Sequence, residues 1–152
     1  MNKIIFTKFL IILFFVSSCG YAPIFSSKNS DFSIIEIKST GNSKLNKILI
    51  NKLDNYKSTN GKKRFSLKIN TNLTKEIASK DTKGNPKIYK MDVNLKIYAE
   101  DEKNNLKEKL FSKSINYNNS NNKFKLNKYE NEMSKNLTEK IAEEIIIFLQ
   151  SI

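Results

Sequence analysis

Two stretches of strict alternation constrain this chain more than any other feature. The first runs Phe65, Leu67, Ile69, Thr71, Leu73, Lys75, Ile77, and the second runs Tyr89, Met91, Val93, Leu95, Ile97. Successive side chains of an extended strand point to opposite faces, so such a pattern predicts a strand with one buried face. Between the two runs lies Lys80-Asp81-Thr82-Lys83-Gly84-Asn85-Pro86, where Gly84 tolerates positive φ and Pro86 interrupts the ladder of donors. The two runs therefore predict one long antiparallel hairpin. A second turn, Asp101-Glu102-Lys103-Asn104-Asn105, leads into a further strand that begins near Leu106 and carries Phe111, Ile115 and Tyr117.

The rest of the domain follows from periodicity. Phe32 to Lys38, apolar at 32, 34, 35 and 37, predicts a short strand. Thr40-Gly41-Asn42-Ser43 breaks it with helix-capping residues. Leu45, Ile48, Leu49, Leu53 and Tyr56 then recur at helical spacing with Lys44, Lys47 and Lys52 opposite, an amphipathic helix of about three turns. Ser58 to Gly61 ends it. After the polar linker Asn118 to Asn122, Asn127 with Glu130 three residues on resembles a capping box. Tyr129, Met133, Leu137, Ile141, Ile145, Phe148 and Leu149 form a core stripe on a last helix of about six turns. The order is strand, helix, three strands, helix, with no internal repeat. It predicts an α+β fold, a four-stranded mixed sheet with two helices packed on one face, as a single domain over residues 32–152. The first strand–helix–strand unit is expected to be a right-handed crossover between parallel strands.

The start of the chain has a different character. Lys3 and Lys8 precede an uncharged apolar run from Phe9 to Val16. That run is far shorter than the roughly 20 residues of a spanning helix. A positive start, a short apolar stretch and then small residues predict an export signal over residues 1–18. Val16-Ser17-Ser18-Cys19 reads as a lipobox, and Cys19 is the sole cysteine of the 152 residues. Its thiol is the side chain that can form a thioether to diacylglycerol. A single acyl chain binds membranes only marginally, so the several chains of a bacterial lipoprotein (palmitate among them) make a durable anchor. Residues 19–31, rich in Ser, Asn and Lys, read as a lipidated tether. Gly20, where lipoproteins of the inner membrane often carry Asp, favours lipid-anchored residence on the periplasmic side of the outer membrane.

Composition removes several chemistries. Histidine and tryptophan are absent. No Ser–His–Asp triad, Cys–His nucleophile or His-ligated metal is possible, and no metal site or cofactor beyond the lipid on Cys19 is expected. Asp101–Glu102 and Glu143–Glu144 are adjacent carboxylates, and neighbours on a helix diverge by about 100°, too far to act on one bond. No catalytic residue is assigned and no enzyme is expected. Asn72-Leu73-Thr74 and Asn136-Leu137-Thr138 match glycosylation sequons by chance. The net charge is +12, from 27 Lys and Arg against 15 Asp and Glu. In an exported protein that charge faces lipid, glycolipid or protein rather than nucleic acid. Lys75, Lys80, Lys83, Lys87 and Lys90 cluster at one hairpin end, with Lys80, Lys83 and Lys87 on the turn itself. They read either as a solvated loop or as a phosphate-attracting tip that recognises charge more than shape.

Cys19-Gly20-Tyr21-Ala22-Pro23-Ile24-Phe25 closely resembles the start of the LPS-assembly lipoprotein LptE family, especially its alphaproteobacterial branch. The order of elements agrees, and Tyr129-Glu130, Asn136-Leu137 and Ile141-Ala142-Glu143-Glu144-Ile145 look like that family's last helix. The resemblance implies a non-enzymatic protein at the inner leaflet of the outer membrane. It would plug and help assemble the LptD β-barrel and bind lipopolysaccharide during its transport. Assigning glycolipid binding to Lys80, Lys83 and Lys87 comes from the charge pattern and is not carried over from the family. Two rival readings are an auxiliary lipoprotein of an ABC-type lipid transporter and an envelope serine hydrolase with a Ser–Lys dyad.

Overall fold

The computed structural model describes residues 30–57 and 61–152. The signal segment, Cys19 and most of the tether lie outside the described residues. Among the described residues a four-stranded sheet runs in the order β1-β2-β3-β4. Its strands are β1 (Phe32–Gly41), β2 (Lys63–Lys80), β3 (Pro86–Asp101) and β4 (Leu106–Asn118). Helix α1 (Ser43–Leu53), extended by a 3-10 turn over Asp54–Tyr56, joins β1 to β2, and helix α2 (Lys123–Ser151) ends the chain. The sheet is mixed: β1 is parallel to β2, and the other pairs are antiparallel.

The alternation does what its period requires. Phe65, Leu67, Ile69 and Thr71 of β2 are buried, as are Met91, Val93, Leu95, Ile97 and Ala99 of β3. They share one core with Leu45, Leu49 and Leu53 of α1 and with Ile141, Ile145 and Leu149 of α2, so both helices cover the same face. Leu106 and Leu110 of β4 lie on the sheet's other face and are exposed, and so are two further apolar strand residues, Ile35 and Ile77. A bulge between Ile34 and Glu36 turns Ile35 outward, where it is 48% exposed. Ile77 keeps the core-face phase but lies past the helices and is also 48% exposed.

The turn from β1 into α1 is held by polar atoms. Asn42 caps the helix, its Oδ1 accepting from the amides of Lys44 at 3.1 Å and Leu45 at 3.2 Å. Gly41 sits at φ +93°, and a Cβ there would fall 1.9 Å from the Thr71 carbonyl oxygen. Thr71, which reads as one more member of an apolar face, is a polar residue in the core. Its hydroxyl donates to Asn46 Oδ1 at 2.8 Å and accepts from the Asn42 amide at 3.0 Å. Asn46 in turn donates to the Thr40 carbonyl at 3.2 Å. These bonds satisfy two buried side chains and fix where the crossover leaves the sheet.

The last helix starts earlier than the capping-box pattern suggests. It spans 29 residues, about eight turns, and its cap is Asn122, whose Oδ1 accepts from the Lys125 amide at 2.9 Å. Asn127 lies inside the helix and accepts from Asn131 at 3.2 Å. Glu130 turns toward the sheet. The reason is apolar: Leu126 is 6% exposed and extends the buried stripe one turn upstream, which favours the earlier cap.

Candidate functional site

The hairpin of β2 and β3 carries the candidate site at its far end. β2 is 18 residues long, about 55 Å at ~3.3 Å per residue. Phe32, where the described chain enters the sheet, pairs with Lys63 at one end of β2, and Lys80 stands at the other. The tip is thus remote from the point where the N-terminal segment joins the domain.

The tip is a built turn. Asp81 Oδ1 accepts from the amides of Lys83 at 2.9 Å and Asn85 at 2.8 Å, and Oδ2 accepts from the Asn85 side chain at 3.2 Å. The Asn85 hydrogen bonds, above all, hold the Asp81 carboxyl below its ordinary range; the Lys87 charge adds to them. Gly84 takes φ +83° with nothing within 4 Å of a Cβ, so the backbone conformation and not lack of space calls for glycine. The turn at the other end of β3 repeats the device. Asp101 Oδ1 accepts from the amides of Lys103 and Asn105 at 2.8 Å each, with Asn104 at φ +62° in the glycine's place.

The structure divides the five clustered lysines. Lys75 is committed: its Nζ lies 2.6 Å from Glu130 and 4.1 Å from the centroid of the Tyr89 ring. Lys90 is committed too, at 2.9 Å from Asp92, which raises its pKa by hydrogen bonding first and by charge second. Lys80, Lys83 and Lys87 are exposed, and among the described residues none of them lies within 4.0 Å of a carboxylate. Lys87 acts on the Asp81 carboxylate through its charge, and all three side chains stand open to solvent.

Beneath the tip lies a cluster with no local sequence signature. Tyr117 donates its hydroxyl to Glu130 at 2.8 Å, so Glu130 receives Lys75 and Tyr117 on one oxygen. Burial first, then the bond to Glu130, pushes the Tyr117 phenol well above its usual range. Tyr89 and Tyr129 flank Tyr117 at ring centroid distances of 5.8 and 5.9 Å. The residues come from β2, β3, β4 and α2, so only the fold brings them together.

The carboxylate pairs are occupied elsewhere. Asp101 closes its own turn, while Glu102 lies 2.9 Å from Arg64. Glu144 pairs with Lys113, and Glu143 points to solvent. Among the described residues no group of three acidic side chains converges as a metal site would require. Among them, too, no helix is long and apolar enough to cross a membrane.

No protein-family profile matches the chain, and no curated protein matches it by sequence. Solved structures do. Rare lipoprotein B from Shewanella oneidensis aligns with TM-score 0.60 at 12% identity, over 76% of this chain and 94% of that one. A minor lipoprotein from Acinetobacter baumannii aligns with TM-score 0.56 at 10% identity, over 76% and 90%. Lipoprotein B from Nitrosomonas europaea aligns with TM-score 0.50 at 11% identity, over 77% and 83%. The chain therefore has the α+β fold of these bacterial lipoproteins.

Proposed function

We propose that the chain is a non-enzymatic lipoprotein of the outer membrane that partners an LptD-like β-barrel in lipopolysaccharide transport and assembly. The observation that carries this reading is a conjunction. The fold is one found in bacterial lipoproteins, and it presents three exposed lysines, none in an ion pair among the described residues, on a hydrogen-bonded tip remote from its N-terminal entry. A lipid on Cys19 would tie the entry end to the inner leaflet. Residues 19–31 reach at most about 45 Å when extended, so the anchor and the tip would act at different depths.

The mechanism is one of binding and shape. The α+β body fills the barrel lumen, and Lys80, Lys83 and Lys87 attract the phosphates of lipid A. Lysine is a point charge on a flexible stem, suited to holding a phosphate for a time and releasing it onward. The resemblance to the alphaproteobacterial LptE branch supports this reading at Cys19 to Phe25 and along α2.

Affinity capture of the full chain from detergent-solubilised outer membrane tests it. A large outer-membrane β-barrel should co-purify and be identified by mass. Recovery of an inner-membrane transporter in its place would support the rival transporter reading and contradict this one.

A further inference from the structure

The sheet face turned away from the helices is polar except toward the end where the chain enters. There Glu36 pairs with Lys38, Arg64 with Glu102 and Lys96 with Glu108, so these charges are spent on one another. Among them stand Ile35, Leu106 and Leu110, at 48%, 57% and 67% exposure. Leu106 lies opposite Glu100 and Leu110 opposite Lys96, with Tyr98 of β3 between these two rows. Ile35 borders a groove of about 350 Å³ that Ser66 and Lys68 of β2 and Glu100 of β3 also line. Apolar atoms are thus spread from β1 to β4 on the face that the core does not use.

The chain that precedes the described residues supplies an occupant of matching chemistry. Residues 19–27 carry no charged side chain, and Tyr21, Ile24 and Phe25 are large and apolar. The Asp31 carbonyl accepts from the Lys63 amide at 3.0 Å, so this segment joins the sheet at the end that holds Ile35 and Leu106. Phe25 lies five residues before Ser30, a reach of at most about 18 Å. Crossing from β1 to β4 takes three strand spacings, about 14 Å. A segment on so short a link has an effective concentration of about millimolar, so modest apolar contact suffices to seat it. A second copy has no such advantage and brings its own net positive charge against the first. We infer that Tyr21–Phe25 docks on this open face, over Ile35, Tyr98, Leu106 and Leu110. Docking holds a lipid on Cys19, two residues upstream, against the entry end of the body in place of a loose tether. The inference does not depend on the barrel or glycolipid reading.

Because tryptophan is absent, Phe25→Trp or Ile24→Trp installs a single fluorophore in the segment. The test is acrylamide quenching of these two reporters, each in the full chain held in phosphatidylcholine nanodiscs. Docking predicts that at least one reporter is protected. Leu106→Ser with Leu110→Ser should raise its quenching severalfold, because losing that apolar area removes about tenfold of the preference for the docked state. Leu106→Ile with Leu110→Ile should keep the protection. All these positions are exposed, so the sheet folds without them, and Ile35→Ser repeats the test from the other edge of the patch. Full quenching of both reporters in the otherwise wild-type chain overturns the docking. Protection that neither the leucine-to-serine pair nor Ile35→Ser reduces overturns it too. Quenching by brominated phosphatidylcholine would place the segment in the membrane, and protection lost on dilution would assign the face to a second copy; either result contradicts the inference.

Discussion

Lys75 and Glu130 meet at 2.6 Å across 55 residues of sequence, tying the outer half of β2 to the first half of α2. The contact changes how the basic end of the hairpin is read. A lysine that looks like part of a ligand patch is a structural partner, and the carboxylate that looks like a cap is its counter-ion. Glu130 also accepts from the nearly buried Tyr117, so the two partners are not equivalent. Glu130→Ala should cost about 1–3 kcal/mol, because it strands a buried hydroxyl. Lys75→Gln should cost about 0–1 kcal/mol, because its side chain is 39% exposed and its charge is screened by water. Urea melts of the two variants measure the difference, and equal costs would contradict the assignment.

The Tyr117 phenol gives the domain an alkaline signature. Its folded pKa lies well above the ordinary tyrosine range, raised by burial first and then by Glu130. A group with a raised folded pKa contributes stability that is fully present below its unfolded pKa and lost as pH climbs toward the folded one. Stability should therefore fall as pH rises above about 10. Tyr56, also raised by burial, adds a background slope. Tyr117→Phe should flatten the pH dependence relative to wild type in melts from pH 8 to 11, leaving the Tyr56 part.

The β1–α1 turn makes two predictions of unequal size. Thr71→Val removes the hydroxyl that Asn46 and the Asn42 amide share, and should cost about 1–3 kcal/mol. Gly41→Ala meets both a positive φ and the Thr71 carbonyl, and should cost about 4 kcal/mol or more, among the largest single-site effects. Thermal melts rank them, and a mild Gly41→Ala would refute the close approach.

Ile141 and Glu144 test the phase of α2. Ile141 is fully buried, and Ile141→Ala should cost about 2–5 kcal/mol. Glu144 makes an ion pair with Lys113 at the surface, so Glu144→Ala should cost at most about 1 kcal/mol. Comparable losses in denaturant would mean that the stripe faces elsewhere.

Cys19→Ser tests the anchor. Without the thiol no thioether forms, and the chain should gain no lipid mass and lose its own hold on the membrane. Intact mass decides, since a barrel partner can retain the unlipidated chain in membrane fractions. A mutant of wild-type mass would refute lipidation at this residue.

The fold was legible where period and burial coincide. Leu67, Ile69, Val93 and Leu95 alternate because one face is sealed, and Ile141, Ile145 and Leu149 recur because one stripe is. Boundaries were less legible. Asn122 and Asn127 are both competent caps, and the choice between them depends on Leu126 finding the core, which is a tertiary fact. Thr71 looked like a tolerated exception on an apolar face because its partner Asn46 lies 25 residues away. The lysine cluster was visible as charge, but its division into paired and free members was not. Glu130 and Asp92 reach Lys75 and Lys90 only once the strands and α2 are assembled.

Binding of purified lipopolysaccharide across a salt series is the most direct measure of the account. Exposed charges act over about a Debye length, near 8 Å at physiological salt, so contacts made by Lys80, Lys83 and Lys87 should weaken steadily as salt rises. The Lys80→Gln, Lys83→Gln, Lys87→Gln variant should bind more weakly than wild type at low salt, show a shallower salt dependence, and melt at nearly the wild-type temperature. A triple variant that binds lipopolysaccharide as tightly as wild type at every salt concentration would contradict the role given to the tip.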